Sequence, residues 1–285
     1  MQNSNIRTFS YFPGCSLAST AKENNLSLME MCRKIGVNLI ELTDWNCCGS
    51  SSADVVDHEI ALDLSARNLF LAPPGRPLLV ACPNCIIRLR QAHLELKQNE
   101  IKRYKYEKKW GQPFNTKLQI IHFFELLDGI ELSTFNENAS TSLQGLRFVP
   151  YYGCMLSRPN TLKHEKTYVG LMEKILTSLG AEQLSWPFAS RCCGTFLSVA
   201  KPDIVTIIAN RLVSSATEAG ADCLVTACSM CHLNLEVRCN LKDPIPTMHF
   251  SELLSLALGV RKHEGWFSRH LVDPRPMLKE KALIR

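Results

Sequence analysis

The chain has thirteen cysteines, and ten of them form two sets that repeat the same order. Each set contains a single cysteine, then a Cys-Cys-Gly triplet, and then a Cys-x-x-Cys pair. The first set is Cys15, Cys47, Cys48, Cys82 and Cys85, and the second is Cys154, Cys192, Cys193, Cys228 and Cys231. A repeated order of this kind predicts two copies of one structural unit.

The sequence around the cysteines repeats as well. Residues 11–15 (YFPGC) are similar to residues 151–154 (YYGC), and HFFELL, which starts at His122, is similar to HFSELL, which starts at His249. The two histidines precede predicted helices and lie away from the cysteine loops. We therefore interpret both as capping or core residues.

Strands and helices alternate in both halves. In the first half we predict strands that end near Phe12 and that span 37–42 and 77–81, with helices over about 26–35, 54–71 and 84–98. In the second half we predict strands over 147–152, 181–184 and 223–227, with helices near 164–179, 204–219 and 229–238. This alternation predicts an α/β fold of two duplicated domains, each a small parallel-type sheet flanked by helices. The cysteine-bearing loops fall at the carboxyl ends of the strands.

Domain limits follow from the repeat. We expect the first domain to span 1–135 and the second to span 146–260. The connection at about 133–145 is polar, which is typical of a surface linker. Residues 261–285 are expected to form an irregular C-terminal tail that ends in a short helical turn.

The charge and hydropathy of the chain indicate in which cellular compartment the protein works and which classes of partner it binds. The polar N-terminus predicts no signal peptide, and no apolar run approaches the roughly 20 residues of a transmembrane helix. We therefore expect a cytoplasmic protein, where thiols stay reduced and clustered cysteines indicate metal binding or redox catalysis. The formal net charge is only +5. We interpret the basic run at 102–110 as a solvated helix end or a partner-docking surface, because nucleic-acid domains are usually more basic.

The number of cysteines in each set limits the kind of metal centre. A structural zinc site and an ordinary cubane cluster each take four ligands, so five thiols are one too many for either. Two simpler interpretations stay open: one cysteine per set is a small buried hydrophobe, or the adjacent pair forms a disulfide. Adjacent side chains serve one site only where the backbone turns, and Gly49 and Gly194 permit that turn.

Each half resembles the cysteine-rich "CCG" domain of the HdrB-like family of heterodisulfide reductases. The resemblance rests on the cysteine order over about residues 10–236, on CHLNL at 231–235 and on LVDPRP at 271–276. Ser229 stands where members often have proline. The resemblance implies two non-cubane [4Fe-4S] clusters, one per CCG domain, with all five cysteines of each set as ligands. Cys32, Cys223 and Cys239 match nothing in the motif; we expect the first two to be core thiols.

The resemblance also implies a reaction. In the family, a substrate disulfide lies between the two clusters, and each cluster supplies one electron. We therefore expect an oxidoreductase acting on a sulfur group, the catalytic subunit of an Hdr-like complex that reduces a disulfide or, in reverse, oxidises thiol or sulfane sulfur. Basic residues near the ligands are candidates for contacts with an anionic substrate; they are Arg88, Arg158, Arg191 and His232.

Electrons must reach the chain from other proteins. The sequence has no ferredoxin run of four closely spaced cysteines, no glycine-rich dinucleotide motif and no flavin signature. The resemblance implies a ferredoxin-like iron-sulfur subunit (HdrC-like) as the partner, with a flavoprotein (HdrA-like) behind it.

Two alternatives stay open. The chain could be a non-catalytic electron-relay subunit of a dehydrogenase complex, such as a succinate or fumarate enzyme. It could also be a zinc-stabilised scaffold in which the fifth cysteine of each set is idle. Iron, sulfide and zinc contents separate the scaffold from the two redox functions.

Overall fold

The computed structural model describes residues 7–50, 52–157, 168–261 and 264–285 of the chain. Arg158 and the first residues of the helix predicted near 164–179 lie outside the described residues.

The first half alternates parallel strands and helices. Its strands are β1 (Arg7–Phe12), β2 (Val37–Glu41), β3 (Leu78–Val80) and β4 (Ile120–His122). Its helices are α1 (Cys15–Ala18), α2 (Lys22–Lys34), α3 (Ala53–Val56), α4 (His58–Leu71), α5 (Pro83–Gln98), α6 (Glu100–Trp110), α7 (Phe123–Asp128) and α8 (Leu132–Asn138).

The second half repeats this alternation. Its strands are β5 (Arg147–Tyr151), β6 (Glu182–Gln183), β7 (Cys223–Thr226) and β8 (Thr247–His249). Its helices are α9 (Gly153–Ser157), α10 (Leu171–Ser178), a 3-10 turn (Thr195–Leu197), α11 (Pro202–Glu218), α12 (Ser229–Arg238), α13 (Phe250–Ala257), α14 (Glu264–Phe267) and α15 (Arg275–Glu280).

Both sheets are parallel and share one strand order. The first runs β2-β1-β3-β4 and the second runs β6-β5-β7-β8. Ser10 pairs with Leu78 in the first sheet, and Phe148 pairs with Cys223 in the second. The duplicated α/β fold is thus confirmed. The sequence does not predict β4 and β8, because a strand of three residues is too short to show a period.

Burial explains the composition of the strands. Every residue of β3 (LLV) and of β7 (CLVT) is buried. A parallel strand that is covered on both faces needs such a continuous apolar run. The edge strand β6 is exposed and polar instead.

Residues distant along the chain combine in two compact units. Among the described residues, unit 1 contains 7–15 and 36–127, and unit 2 contains 16–35, 128–157, 168–261 and 264–285. Helix α2 therefore belongs to unit 2, although it lies in the first half of the sequence. The linear limits 1–135 and 146–260 describe the sequence repeat and stay a prediction.

Helix α2 packs against α13 through buried serines. Ser27 Oγ lies 2.7 Å from Ser251 Oγ, and Ser255 Oγ donates to the carbonyl of Ser27 at 2.8 Å. These bonds satisfy hydroxyl groups that water does not reach. Leu28, on the same helix, is completely buried.

The linker predicted at 133–145 and the basic run at 102–110 are less exposed or less charged than the sequence predicts. The connection predicted at 133–145 includes most of α8, and its Phe135 and Leu143 are completely buried. The basic run forms α6, where Lys102 Nζ lies 2.6 Å from both Glu59 and Glu95. Part of its charge is therefore neutralised within the chain.

The burial of α2 predicts a large loss of stability for Leu28→Ala. We expect the free energy of unfolding to fall by about 2–5 kcal/mol, because the substitution leaves a cavity. Chemical denaturation measures the change. The control is Ile207→Ala, at a position that is 69% exposed, and it should change stability by no more than about 0.5 kcal/mol. Equal effects of the two substitutions would contradict the packing of α2.

Candidate metal centres

The first cysteine set lies at the carboxyl ends of three neighbouring strands. Cys15 follows β1 and begins α1. Cys47 and Cys48 lie in the loop after β2, and Cys82 and Cys85 lie at the start of α5, after β3. Because the carboxyl ends of parallel strands meet at one edge of a sheet, these loops converge.

The sulfurs of this set form one connected group. Sγ of Cys48 lies 3.1 Å from Sγ of Cys85, and Sγ of Cys47 lies 3.7 Å from Sγ of Cys15. Thiol hydrogen bonds also join Cys47 to Cys48 and Cys82 to Cys85. Neither Cys47 nor Cys48 is part of a disulfide, so the adjacent pair is not bonded to itself.

Neighbouring thiols and backbone amides favour the ionised form of two sulfurs in this group, Cys48 and Cys82, while hydrogen bonding to these sulfurs raises the pKa of Cys47 and Cys85. Hydrogen bonds from Cys47 and Cys85 lower the pKa of Cys48 to about 5. A hydrogen bond from Cys85, together with the amides of Cys85 and Asn84 at the N-terminus of α5, also lowers the pKa of Cys82. The thiolate is the form of cysteine that binds metals, so Cys48 and Cys82 are prepared for a metal.

The second set has the same placement. Cys154 lies in α9 after β5, and Cys192 and Cys193 lie in the loop after β6. Cys228 and Cys231 lie at the start of α12, after β7. Sγ of Cys193 is 3.4 Å from Sγ of Cys231, and this contact lowers the pKa of Cys193. Cys231 is also joined to Cys228.

Burial divides each set in the same way. Three residues of each set are buried, namely Cys48, Cys82 and Cys85 in the first and Cys193, Cys228 and Cys231 in the second. The others are exposed (Cys15, Cys47 and Cys192) or half-buried (Cys154). A group held by either set would be enclosed on one side and open to solvent on the other.

Glycines leave room for the sulfurs. A Cβ at Gly14 would lie 3.0 Å from Sγ of Cys85, and a Cβ at Gly153 would lie 3.1 Å from Sγ of Cys231. Both glycines have left-handed backbone, with φ of +76° and +66°. Crowded cysteine sulfurs in a glycine-lined cradle fit an iron-sulfur cluster, which is held by cysteine thiolates.

Polar side chains fix the Cys-Cys-Gly loops. Ser65 Oγ donates to the carbonyl of Cys48 at 2.8 Å, and Asn234 Nδ2 donates to the carbonyl of Cys193 at 2.8 Å. The same carbonyl is thus held in both copies by different residue types. The sequence repeat could not reveal this pair, because Ser65 and Asn234 do not occupy equivalent positions.

The two recurring histidines cap helices, as predicted. The N–H of Phe124 donates to Nδ1 of His122 at 3.2 Å, and the N–H of Ser251 donates to Nδ1 of His249 at 3.4 Å. Both histidines are buried.

The prediction that these histidines lie away from the cysteine loops is wrong. Nε2 of His122 donates to the carbonyl of Ala81 at 3.0 Å, and His249 hydrogen-bonds to the backbone of Ala227. Ala81 and Ala227 each precede the Cys-x-x-Cys pair of their unit. The unpredicted strands β4 and β8 place the histidines beside β3 and β7, where they support the ligand-bearing loops.

A cleft of about 270 Å³ opens beside Cys192 in unit 2. Its lining residues are Phe188, Arg191, Cys192, Ile208, Arg211 and Leu212. The hydroxyl of Tyr151 donates a hydrogen bond to the carbonyl of Arg191 at 2.7 Å. The guanidinium of Arg211 lies 5.3 Å from the ring centroid of Phe188. Within the described part of the chain, neither arginine forms an ion pair. Two uncompensated guanidinium groups beside an exposed sulfur suit an anionic ligand.

The other predicted substrate contacts have different surroundings. Arg88 pairs with Asp54 at 2.6 Å, so its charge is neutralised in unit 1. His232 is only 1% exposed and lies in a polar cluster of the unit 2 core. Within unit 2, His232 does not line the cleft beside Arg191. Substrate contacts by Arg88, Arg158, Arg191 and His232 stay predictions.

The three cysteines outside the sets have no part in these groups. Cys32 and Cys223 are completely buried, as expected for core thiols, and burial raises the pKa of both. Cys239 is half-buried at the end of α12.

If each cysteine set holds one iron-sulfur cluster, Gly14→Ala should remove about half of the iron, because its Cβ would lie 3.0 Å from Sγ of Cys85. Gly36→Ala is the matched control, because Gly36 has a φ of +74° and no atom within 4 Å of its added Cβ. Both substitutions should cost about 1–2 kcal/mol of stability through left-handed strain. Elemental analysis and thermal melting measure the two effects. Equal iron in both variants would contradict the cradle.

Two regions of the chain, residues 9–90 and 148–236, match the "Cysteine-rich domain" (CCG) family. These are the two regions that carry the cysteine sets.

Similar proteins cover nearly the whole chain. The 8-methylmenaquinol:fumarate reductase membrane anchor subunit of Wolinella succinogenes is 27% identical over 94% of this chain and 98% of its own length. The B subunit of the ferredoxin/F(420)H(2)-dependent CoB-CoM heterodisulfide reductase of Methanosarcina acetivorans is 26% identical over 90% of each chain. A protein of Archaeoglobus profundus that is named as similar to the heterodisulfide reductase B subunit is 24% identical over 88% of this chain and 90% of its own.

A solved structure has the same fold. A hypothetical protein from Helicobacter pylori superposes with a TM-score of 0.72 at 13% identity over 94% of this chain. The chain spans about half, 52%, of that protein. None of the helices in the described residues has the length and apolar character needed to cross a membrane. The chain belongs to the CCG cysteine-rich domain family, in its HdrB-like group of heterodisulfide reductase relatives.

Proposed function

We propose that the chain is the catalytic subunit of an Hdr-like complex and reduces a disulfide with two non-cubane [4Fe-4S] clusters. The observation that carries the proposal is the repeated set of five cysteines, in which three members are buried and the others reach solvent. A cluster that only passes electrons needs no opening to solvent, whereas a cluster that reacts with a substrate does. The heterodisulfide reductase relatives support the same function.

The proposed ligands are the ten cysteines of the two sets. The first cluster takes Cys15, Cys47, Cys48, Cys82 and Cys85, and the second takes Cys154, Cys192, Cys193, Cys228 and Cys231. When bound, the clusters would supply one electron each. The reaction breaks one S–S bond, consumes two electrons and two protons, and yields two thiols; the reverse direction oxidises thiol or sulfane sulfur.

The chain itself would hold and orient the substrate. Arg191 and Arg211 place two positive charges beside Cys192, and Phe188 adds an apolar wall. These groups suit a substrate with a carboxylate, sulfonate or phosphate near its disulfide. Loop carbonyls held by Ser65, Asn234 and the two capping histidines would keep the ligands in place.

The proposal includes partner subunits. A ferredoxin-like iron-sulfur subunit (HdrC-like) would deliver electrons, and a flavoprotein (HdrA-like) would supply that subunit. The Methanosarcina acetivorans relative supports this arrangement, because its name identifies one subunit of a larger heterodisulfide reductase.

A second function is favoured by a different observation. The Wolinella succinogenes relative matches over 98% of its own length and is named as a subunit of a fumarate reductase. In that case the chain would be an electron-relay subunit of a dehydrogenase complex. It would hold the same clusters without reducing a disulfide.

Metal content tests both redox functions against a zinc-stabilised scaffold. After anaerobic purification we expect about eight iron and eight sulfide ions per chain, because each of the two clusters holds four of each. Zinc in place of iron, without sulfide, would overturn both redox functions.

Electron paramagnetic resonance separates catalysis from relay. Titration of the reduced protein with CoB-CoM heterodisulfide, and with other anionic disulfides, should produce a substrate-dependent cluster signal if the chain is catalytic. A relay subunit should give spectra that no disulfide perturbs.

The cleft predicts the effect of two substitutions on the same reaction. Arg191→Gln and Arg211→Gln should each raise KM for an anionic disulfide about tenfold, the effect of losing roughly 1.4 kcal/mol from a charge-assisted contact. The rate of disulfide-dependent oxidation of a reduced viologen dye measures this change. Arg33→Gln is the control, because Arg33 is exposed and paired with Glu30. An unchanged KM in both cleft variants would exclude this cleft as the substrate site.

A further inference from the structure

A cluster of histidines and carboxylates lies in the core of unit 2, apart from the cysteine sulfurs. Its members come from four segments: Glu23 and Asn24 on α2, His232 and Glu236 on α12, Glu252 on α13, and His270 after α14. All six residues are buried, with exposures of 8% or less. We call these residues the His–Glu cluster.

His270 is the centre of the His–Glu cluster. Its Nδ1 lies 2.9 Å from Glu236 Oε1, and its Nε2 lies 2.9 Å from Glu252 Oε1. The ring of His232 is 4.9 Å from the ring of His270, measured between centroids. One ligand atom from each of His232, Glu252 and His270 lies within 4.8 Å of the others.

The cluster has more negative charge than its protein partners neutralise. Within the described part of the chain, Glu23, Glu236 and Glu252 form ion pairs with His232 and His270 and with no lysine or arginine. Burying charge without full compensation is costly, so a buried cation would stabilise the cluster.

A second observation points to a missing partner. Nδ2 of Asn24 lies 3.0 Å from Nδ1 of His232, while Oδ1 of Asn24 has no hydrogen-bond partner although the residue is completely buried. Nε2 of His232 lies 3.0 Å from the carbonyl of Thr247. If Nε2 bound a metal instead, Nδ1 would carry the proton, and Asn24 Oδ1 could accept it after a flip of the amide.

We propose that His232, Glu252 and His270 bind a divalent transition metal ion, with zinc as the best match. Two imidazole nitrogens and one carboxylate form a known zinc donor set. Glu236 would accept from Nδ1 of His270 and orient its Nε2 toward the metal, as carboxylates commonly do for metal-bound histidines. His270 would give up one proton on binding, so the ion would balance the charges of Glu236 and Glu252.

The site would be structural. It would join the segment after α14 and helix α13 to α12, the helix that has Cys228 as its N-cap and Cys231 in its first turn. A zinc ion has no redox chemistry of its own, so it would hold the second cysteine set in place without accepting electrons.

Metal analysis of the intact anaerobic protein tests the proposal independently of the proposed function. We expect about one zinc ion per chain beside the cluster iron. His270→Gln and Glu252→Gln should lose the zinc and the rise in thermal midpoint that added Zn²⁺ gives the metal-depleted wild type. Cys193→Ser should lose iron and keep the zinc.

His58→Gln is the matched control. His58 also lies between two carboxylates, Asp54 at 3.3 Å and Glu95 at 3.2 Å, but it is exposed. This variant should keep the zinc. If a substitution in the His–Glu cluster prevents folding, the wild type decides. A wild-type protein that holds no zinc, iron or manganese beyond its cluster iron, and that gains no thermal stability from added Zn²⁺, would overturn the proposal. His270 would then be an imidazolium that bridges two carboxylates.

Discussion

The close approach of free thiol sulfurs is the constraint on which the rest of the structure depends. Sulfur atoms lie 3.1 Å apart between Cys48 and Cys85 and 3.4 Å apart between Cys193 and Cys231. Thiols at these distances repel one another once more than one is ionised, unless a metal or hydrogen bonds compensate the charge. Each unit therefore directs strand ends, helix N-termini and glycine turns toward its cysteines.

The loops that carry the cysteines are fixed from the core. Hydrogen bonds from Ser65, Asn234, His122 and His249 reach carbonyls within or directly before the cysteine motifs. Buried bonds of this kind leave little freedom to the backbone, so the sulfurs keep their positions. In unit 2 the His–Glu cluster extends this support through α12.

Sequence reasoning worked where a pattern was long or repeated. The prediction for 229–238 matches helix α12 to the residue, because its apolar period and the preceding buried strand agree. It failed for short or non-local features. The three-residue strands β4 and β8 show no period, so they were not predicted. Without these strands, nothing in the sequence indicated that His122 and His249 lie beside the loops they support. The buried Phe135 escaped notice because polar residues surround it.

The sequence by itself determined the duplication, the α/β alternation and the two cysteine sets, because each of these is a spacing along one chain. The tertiary structure alone decided that helix α2 joins unit 2, that Arg191 and Arg211 share a cleft beside Cys192, and that His232, Glu252 and His270 meet in the core. These contacts join residues that are close in space and distant along the chain. Local spacing and propensity carry no information about which distant surfaces pack together.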